Sequence, residues 1–150
     1  FRSMKTLRLL FILTTILLAA PALAEDLLMA RSSQEFPEAM LALQESITNQ
    51  GYTISRVQRV DIGLTAMGYK TDKYRVVFFG KPDEVRELVE THPELVPYLP
   101  QKISIFAEAD DTLLVAINPQ QFKQFFDDPE LAQVFERWEA DLRAILASVQ

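Results

Sequence analysis

The chain has 150 residues, 49 % of them hydrophobic, with 21 acidic and 15 basic side chains, one histidine and no cysteine. Its net charge of −6 argues against a general affinity for DNA, RNA or anionic lipid. The absent thiols exclude disulfides, thiolate nucleophiles, iron–sulfur ligation and covalent c-type haem, and a lone histidine excludes a multi-histidine zinc site.

Met4 opens a short basic segment with Lys5 and Arg8, an apolar run continues from Leu9 to Ala20, and Ala22-Leu23-Ala24 places small residues just ahead of Glu25. The run is too short to span a bilayer stably, and the order of basic, apolar and small residues is that of a secretory signal peptide. The expectation is cleavage near Ala24, a periplasmic or secreted protein, and no membrane span once the signal is removed. Phe1, Arg2 and Ser3 precede the start at Met4 and read as an upstream extension. Cleavage removes three bases (Arg2, Lys5, Arg8) and no acid, so the charge moves from −6 to −9. Residues 25–150 are expected to form one α+β domain.

Leu27 to Arg31 reads as a first strand, and Ser32 or Ser33 offers a hydroxyl cap for a helix running to about Gln50. Phe36, Met40, Leu43 and Ile47 form its apolar stripe, Pro37 falls in the first turn, and Gly51 is placed for a left-handed terminus. Tyr52 to Val60 reads as a strand whose alternation slips around Arg56 and Val57, which predicts a bulge or a strand end. Asp61 to Lys73 shows no period and reads as irregular, with room for one helical turn. Tyr74 to Phe79 is apolar on both faces apart from Arg75, the pattern of a central strand. Gly80-Lys81-Pro82 then turns into a short helix with Asp83 and Glu84 at its positive end.

Three prolines between His92 and Pro100 predict no regular structure there. Ile103, Ile105 and Ala107, then Leu113, Val115 and Ile117, alternate with polar residues around Asp110-Asp111, the pattern of a β-hairpin. Asn118-Pro119 caps a short helix and Asp128-Pro129 a long one. In the latter, Leu131, Val134, Phe135, Trp138, Leu142, Ile145, Leu146 and Val149 share a face. The order predicts a two-layer α+β sandwich: a mostly antiparallel sheet with helices on one face. The other face must be wet or covered, and a homodimer would cover it.

Arg59-Val60-Asp61 through Gly68, Phe79-Gly80-Lys81-Pro82, and Tyr98-Leu99-Pro100 ahead of the strand from Lys102 to Ala107 resemble the motifs of the bacterial domain-of-unknown-function 302 family. The resemblance covers roughly Leu27 to Asn118 and leaves the long C-terminal helix to an exported subgroup. It implies a compact sheet domain of the TATA-binding-protein-like class, often dimeric, and brings no established activity. Ile62 stands where that family frequently carries histidine.

No residue set specifies a reaction. There is no Walker loop, dinucleotide glycine fingerprint, nucleophile elbow or metalloprotease helix, so no cofactor and no metal are expected. His92 could serve as a general base or an axial haem ligand, and helix capping is the simpler role. Asp110 and Asp111 could pair as acid and base, but neighbours in a turn point apart. Residues 56–82 carry Arg56, Arg59, Lys70, Lys73, Arg75 and Lys81 against Asp61 and Asp72, a basic island in an acidic chain. It would suit a small anion near Lys81 and the following helix start, or pair with the acidic helices. Tyr52, Tyr69, Tyr74 and Tyr98 with Phe78, Phe79 and Phe106 could line a pocket between helix and sheet or simply fill the core, and Trp138 reads as a packing residue. The candidate binding set is Asp61, Lys73, Tyr74, Arg75, Lys81 and His92. The leading reading is an exported, non-enzymatic binding or accessory domain that takes a small anionic or apolar ligand or a protein partner. The alternative is an enzyme using Asp61, Tyr74 and His92 for acid–base chemistry in a helix–sheet pocket.

Overall fold

The computed structural model describes residues 25–70 and 73–150. The segment read as a signal peptide lies outside them. Five strands form one antiparallel sheet: β1 (Leu27–Ser32), β2 (Thr53–Arg59), β3 (Tyr74–Gly80), β4 (Gln101–Glu108) and β5 (Asp111–Ile117), in the order β1-β5-β4-β3-β2. Four α-helices connect or follow them: α1 (Phe36–Asn49), α2 (Val60–Ala66), α3 (Pro82–Thr91) and α4 (Pro129–Ala147). Two 3-10 segments, Pro93–Tyr98 and Pro119–Gln124, complete the elements. The antiparallel α+β architecture is the one the residue pattern predicts.

Strand period determines which residues meet the helices. Leu28, Ala30, Leu114, Ala116, Ile103, Ile105, Val77 and Phe79 point to one side and are buried. Against them lie Phe36, Ala39, Leu43 and Ile47 of α1, and Leu131, Phe135, Trp138, Leu142, Ile145 and Leu146 of α4. Ser46 of α1 donates from its hydroxyl to the Ile145 carbonyl at 3.0 Å, a buried cross-link between the two helices. The opposite side presents Leu27, Met29, Val115, Ile117, Phe106, Tyr74, Val76 and Phe78, of which Leu27, Met29 and Ile117 are 49 %, 57 % and 49 % exposed. Among the described residues, no helix packs over that side.

Several local expectations need correction. The α1 cap is the backbone of Glu35, and Ser32 instead ends β1, its Oγ accepting from the Gln34 amide at 3.2 Å. The register of β2 on β3 shifts between Ile54 and Arg56, one residue ahead of the predicted slip. Residues 60–66 are a true helix although they lack periodicity. That helix closes no core face and rests on β3 through the Asp61 anchor described below. Residues 93–98 are 3-10 helical despite Pro97, because a short 3-10 segment needs few amide donors. The hairpin turns on Ala109 and Asp110, with Asp111 already in β5 and paired with Glu108. Ala109 takes φ +52°, a left-handed position that costs a Cβ-bearing residue about 1 kcal/mol. Gly80 answers a different constraint: a Cβ there would stand 2.9 Å from Val85 Cγ2, so α3 could not approach the end of β3 as closely.

Candidate functional site

The six candidate binding residues do not form one site. Asp61 and Arg75 do meet: Arg75 Nη1 donates to Asp61 Oδ1 at 2.7 Å, and Arg59 Nη2 donates to Oδ2 at 2.8 Å. Asp61 is 3 % exposed, and its carboxyl is held below the usual range first by the Arg59 hydrogen bond and then by the Arg75 charge. Arg75 also lies 5.4 Å from the centre of the Phe36 ring and donates to the Tyr74 carbonyl at 3.0 Å. The cluster ties α2, β3 and the start of α1 together.

Tyr74 turns to the open side of the sheet, edge-on to Phe106 at 5.8 Å. Lys73 is exposed, and its carbonyl accepts from the Ala107 amide at 3.0 Å. Lys81 precedes α3 and sets its ammonium over the Tyr52 ring, 4.9 Å from the centroid. The first turn of α3 carries Asp83 and Glu84, and Glu84 is taken up by Trp138 Nε1 at 2.6 Å and Arg137 at 2.7 Å. His92 ends α3, with its ring between Thr91 Oγ1 and Asp128 Oδ2, each at 2.9 Å. Asp128 also caps α4 through the Glu130 amide at 2.8 Å, and His92 followed by that amide lowers its pKa. The histidine thus joins the end of one helix to the beginning of another. Asp61, Tyr74 and His92 lie among three different sets of partners, so the acid–base trio does not converge. Among the described residues, no three acidic or histidine side chains gather as metal ligands.

The aromatic residues also separate, because neighbours on a strand face opposite ways. Tyr52 and Phe79 meet edge-on in the core at 5.3 Å, Tyr74 and Phe106 meet on the open side, and Tyr69 is exposed. Tyr98 joins a group with Phe122 at 5.1 Å, Phe126 at 5.8 Å and Phe125 at 6.0 Å, none of which was in the candidate set.

That group borders a cavity of about 170 Å³ at the end of the sheet, between the Pro97–Lys102 segment, Phe78, Ile117, Pro119, Phe122 and Leu142. The Leu99-Pro100 peptide on its wall is cis. Behind the wall lies a hydrogen-bonded pair. Tyr52 donates from its hydroxyl to Asp141 Oδ2 at 2.6 Å, and burial first, then this bond, raises the Tyr52 pKa. The neighbouring Gln101 amide acts in the opposite sense on that pKa. Sequence reading marked Tyr98-Leu99-Pro100 as a family motif without assigning it a site. Gln101 carried no signal, because an amide in an alternating strand looks like any solvent-facing polar residue.

The pattern of the family described as Domain of unknown function DUF302 matches residues 29–149. The chain belongs to the DUF302 family. The match runs through α4, so the long C-terminal helix is part of the family domain and not an addition confined to a subgroup. A DUF302 crystal structure, that of an uncharacterized conserved protein from Bacillus stearothermophilus, has TM-score 0.76 at 20 % identity. The superposition covers 85 % of this chain and 100 % of that one, a likeness of fold. No curated protein matches the chain.

Proposed function

We propose that this DUF302 protein is an exported, non-enzymatic accessory module that works as a homodimer joined through the open side of its sheet. The observation that carries the reading is that side's composition: an apolar field with opposite charges at its two ends. Glu108 and Asp111 lie at one end with Arg31, which bridges them at 3.1 and 3.2 Å. Lys102 and Arg56 lie at the other, flanking Phe78 in the register. A two-fold axis across the strands would bring the basic end of one copy over the acidic end of the other, an isologous and self-complementary contact.

Five strands at about 4.8 Å spacing and about 20 Å length give about 500 Å² per copy, or about 1,000 Å² in all, near the lower limit for a specific interface. The dimer should therefore be in measurable exchange with monomer. Export rests on the order of basic, apolar and small residues before Glu25, and among the described residues no helix is long and apolar enough to cross a membrane. The dispersal of Asp61, Tyr74 and His92 favours binding over catalysis.

Analytical ultracentrifugation of the protein recovered from the periplasm, with N-terminal sequencing, tests both parts. The expected result is a chain beginning near Glu25 that dimerises at micromolar concentration, more weakly in high salt, and is monomeric as Met29→Glu. A folded wild type that stays monomeric at high concentration, or a dimer indifferent to Met29→Glu, would refute this interface. An uncleaved N-terminus would refute export.

A further inference from the structure

We infer that the outer edge of β2, with the groove between it and α2, is a strand-addition site for an extended peptide segment that carries two carboxylates three positions apart around an apolar pair. The inference is independent of the dimer, since strand addition uses backbone groups in the plane of the sheet and leaves its open side uncovered.

β2 is an end strand and pairs only with β3. Beyond its register shift it runs regularly from Arg56 to Arg59, opposite Phe78 to Arg75. Among the described residues, no backbone bond from outside the sheet reaches Arg56, Val57 or Gln58. The outward-facing amides and carbonyls of this run are therefore left to solvent or to a partner strand. Beside them α2 leaves an open groove of about 500 Å³, whose lining includes Val57, Val60, Ile62, Leu64 and Met67. Val57, Ile62 and Met67 are 39 %, 57 % and 74 % exposed. Bulges and charges ordinarily keep edge strands from pairing. Here the irregularity ends at Arg56, and a surface built only to repel has no use for three exposed apolar side chains along it.

Charge selects the occupant. β2 carries Arg56 and Arg59 and no acid, so pairing with a second copy of β2 would set like charges against each other. Arg59 shares the single carboxylate of Asp61 with Arg75, which leaves that cluster with a net positive charge. The register places Arg56 across from Phe78 on the open side of the sheet and Arg59 across from Arg75 on the helix side. Residues three apart on a strand face opposite ways. An added strand therefore meets both guanidiniums when its acids stand at positions i and i+3, and one of the two residues between them then packs against Val57 and the groove. Backbone pairing would supply affinity and the side-chain pairs selectivity.

The probe is the capped peptide Thr-Thr-Glu-Val-Val-Glu-Thr-Thr, which presents this spacing in either strand direction. Titrated into isotope-labelled protein, it should shift the amides of residues 56–60 and 62–67. The isomer Thr-Thr-Val-Glu-Glu-Val-Thr-Thr, equal in composition and charge, should bind about fivefold more weakly, because it loses the two cross-strand charge pairs. Methylating both valine amides of the first peptide should weaken it by about tenfold, since neighbouring amides of a strand point to opposite edges and one of them must face β2. Ile62→Ser combined with Met67→Ser, both at exposed positions, should weaken the first peptide by about fivefold. If that variant does not fold, the two peptide comparisons on wild type decide. Equal binding of the isomer or of the methylated peptide, indifference to the changes at Ile62 and Met67, or shifts that are absent or centred on β1 would overturn the inference.

Discussion

Tyr52→Phe isolates the Tyr52–Asp141 hydrogen bond behind the cavity, because it deletes one oxygen and keeps the ring. The edge-on contact with Phe79 and the Lys81 ammonium over the ring face survive the change. What is lost is a 2.6 Å donation to the Asp141 carboxylate. A hydrogen bond to a charged acceptor contributes about 1.5–3 kcal/mol, and Asp141 is only partly buried, so water recovers part of it. The expected loss is about 2 kcal/mol, or about 6–10 °C in Tm for a domain of this length.

The wild-type pH profile gives an independent check. Burial raises the Tyr52 pKa above its ordinary value of 10.0, so the folded state keeps a proton that the unfolded state releases. The contribution is complete below pH 10.0 and is lost as pH rises towards the folded value. Urea unfolding of both proteins from pH 7 to pH 11 measures it: above pH 10 wild type should lose stability more steeply than Tyr52→Phe, and the gap between them should narrow. A Tyr52→Phe protein within about 0.5 kcal/mol of wild type, or parallel pH profiles, would show that the Tyr52–Asp141 bond does not act as described.

Ala109→Gly should stabilise the protein by about 1 kcal/mol less the entropy glycine adds to the unfolded chain, read as a small rise in the urea midpoint. Leu142→Ala should cost about 2–4 kcal/mol, read as a fall in the urea midpoint, because Leu142 is buried between α4 and the cavity wall. Asp61→Asn bears on acid stability. The folded Asp61 pKa lies below 3.8, so its stabilisation is complete above that pH and is lost as pH falls through the folded value. Melting curves of wild type and Asp61→Asn should therefore be well separated at pH 7 and converge in acid; equal separation throughout would mean the carboxylate charge is not what Arg59 and Arg75 hold.

Periodicity alone determined much of this fold. The stripes of α1 and α4, the alternation of β4 and β5 and the Asx-Pro starts at Asn118 and Asp128 are local signals, since each element must hide one face and begin with a satisfied cap. The same logic left one sheet side apolar and unassigned, a property readable from Leu27, Met29 and Val76 without coordinates. Helix α2 was not legible, because its residues bury no stripe and its anchor is an ion pair made across the fold. The aromatic residues were visible but not their company: Phe78 and Phe79 are adjacent in sequence and separated by the sheet. The cavity was least legible, because it is made where the Pro97–Lys102 segment, the end of β5 and α4 happen to leave space. The Tyr52–Asp141 bond behind it was equally hidden, because only the packing of α4 beside the start of β2 brings the two side chains within reach of each other.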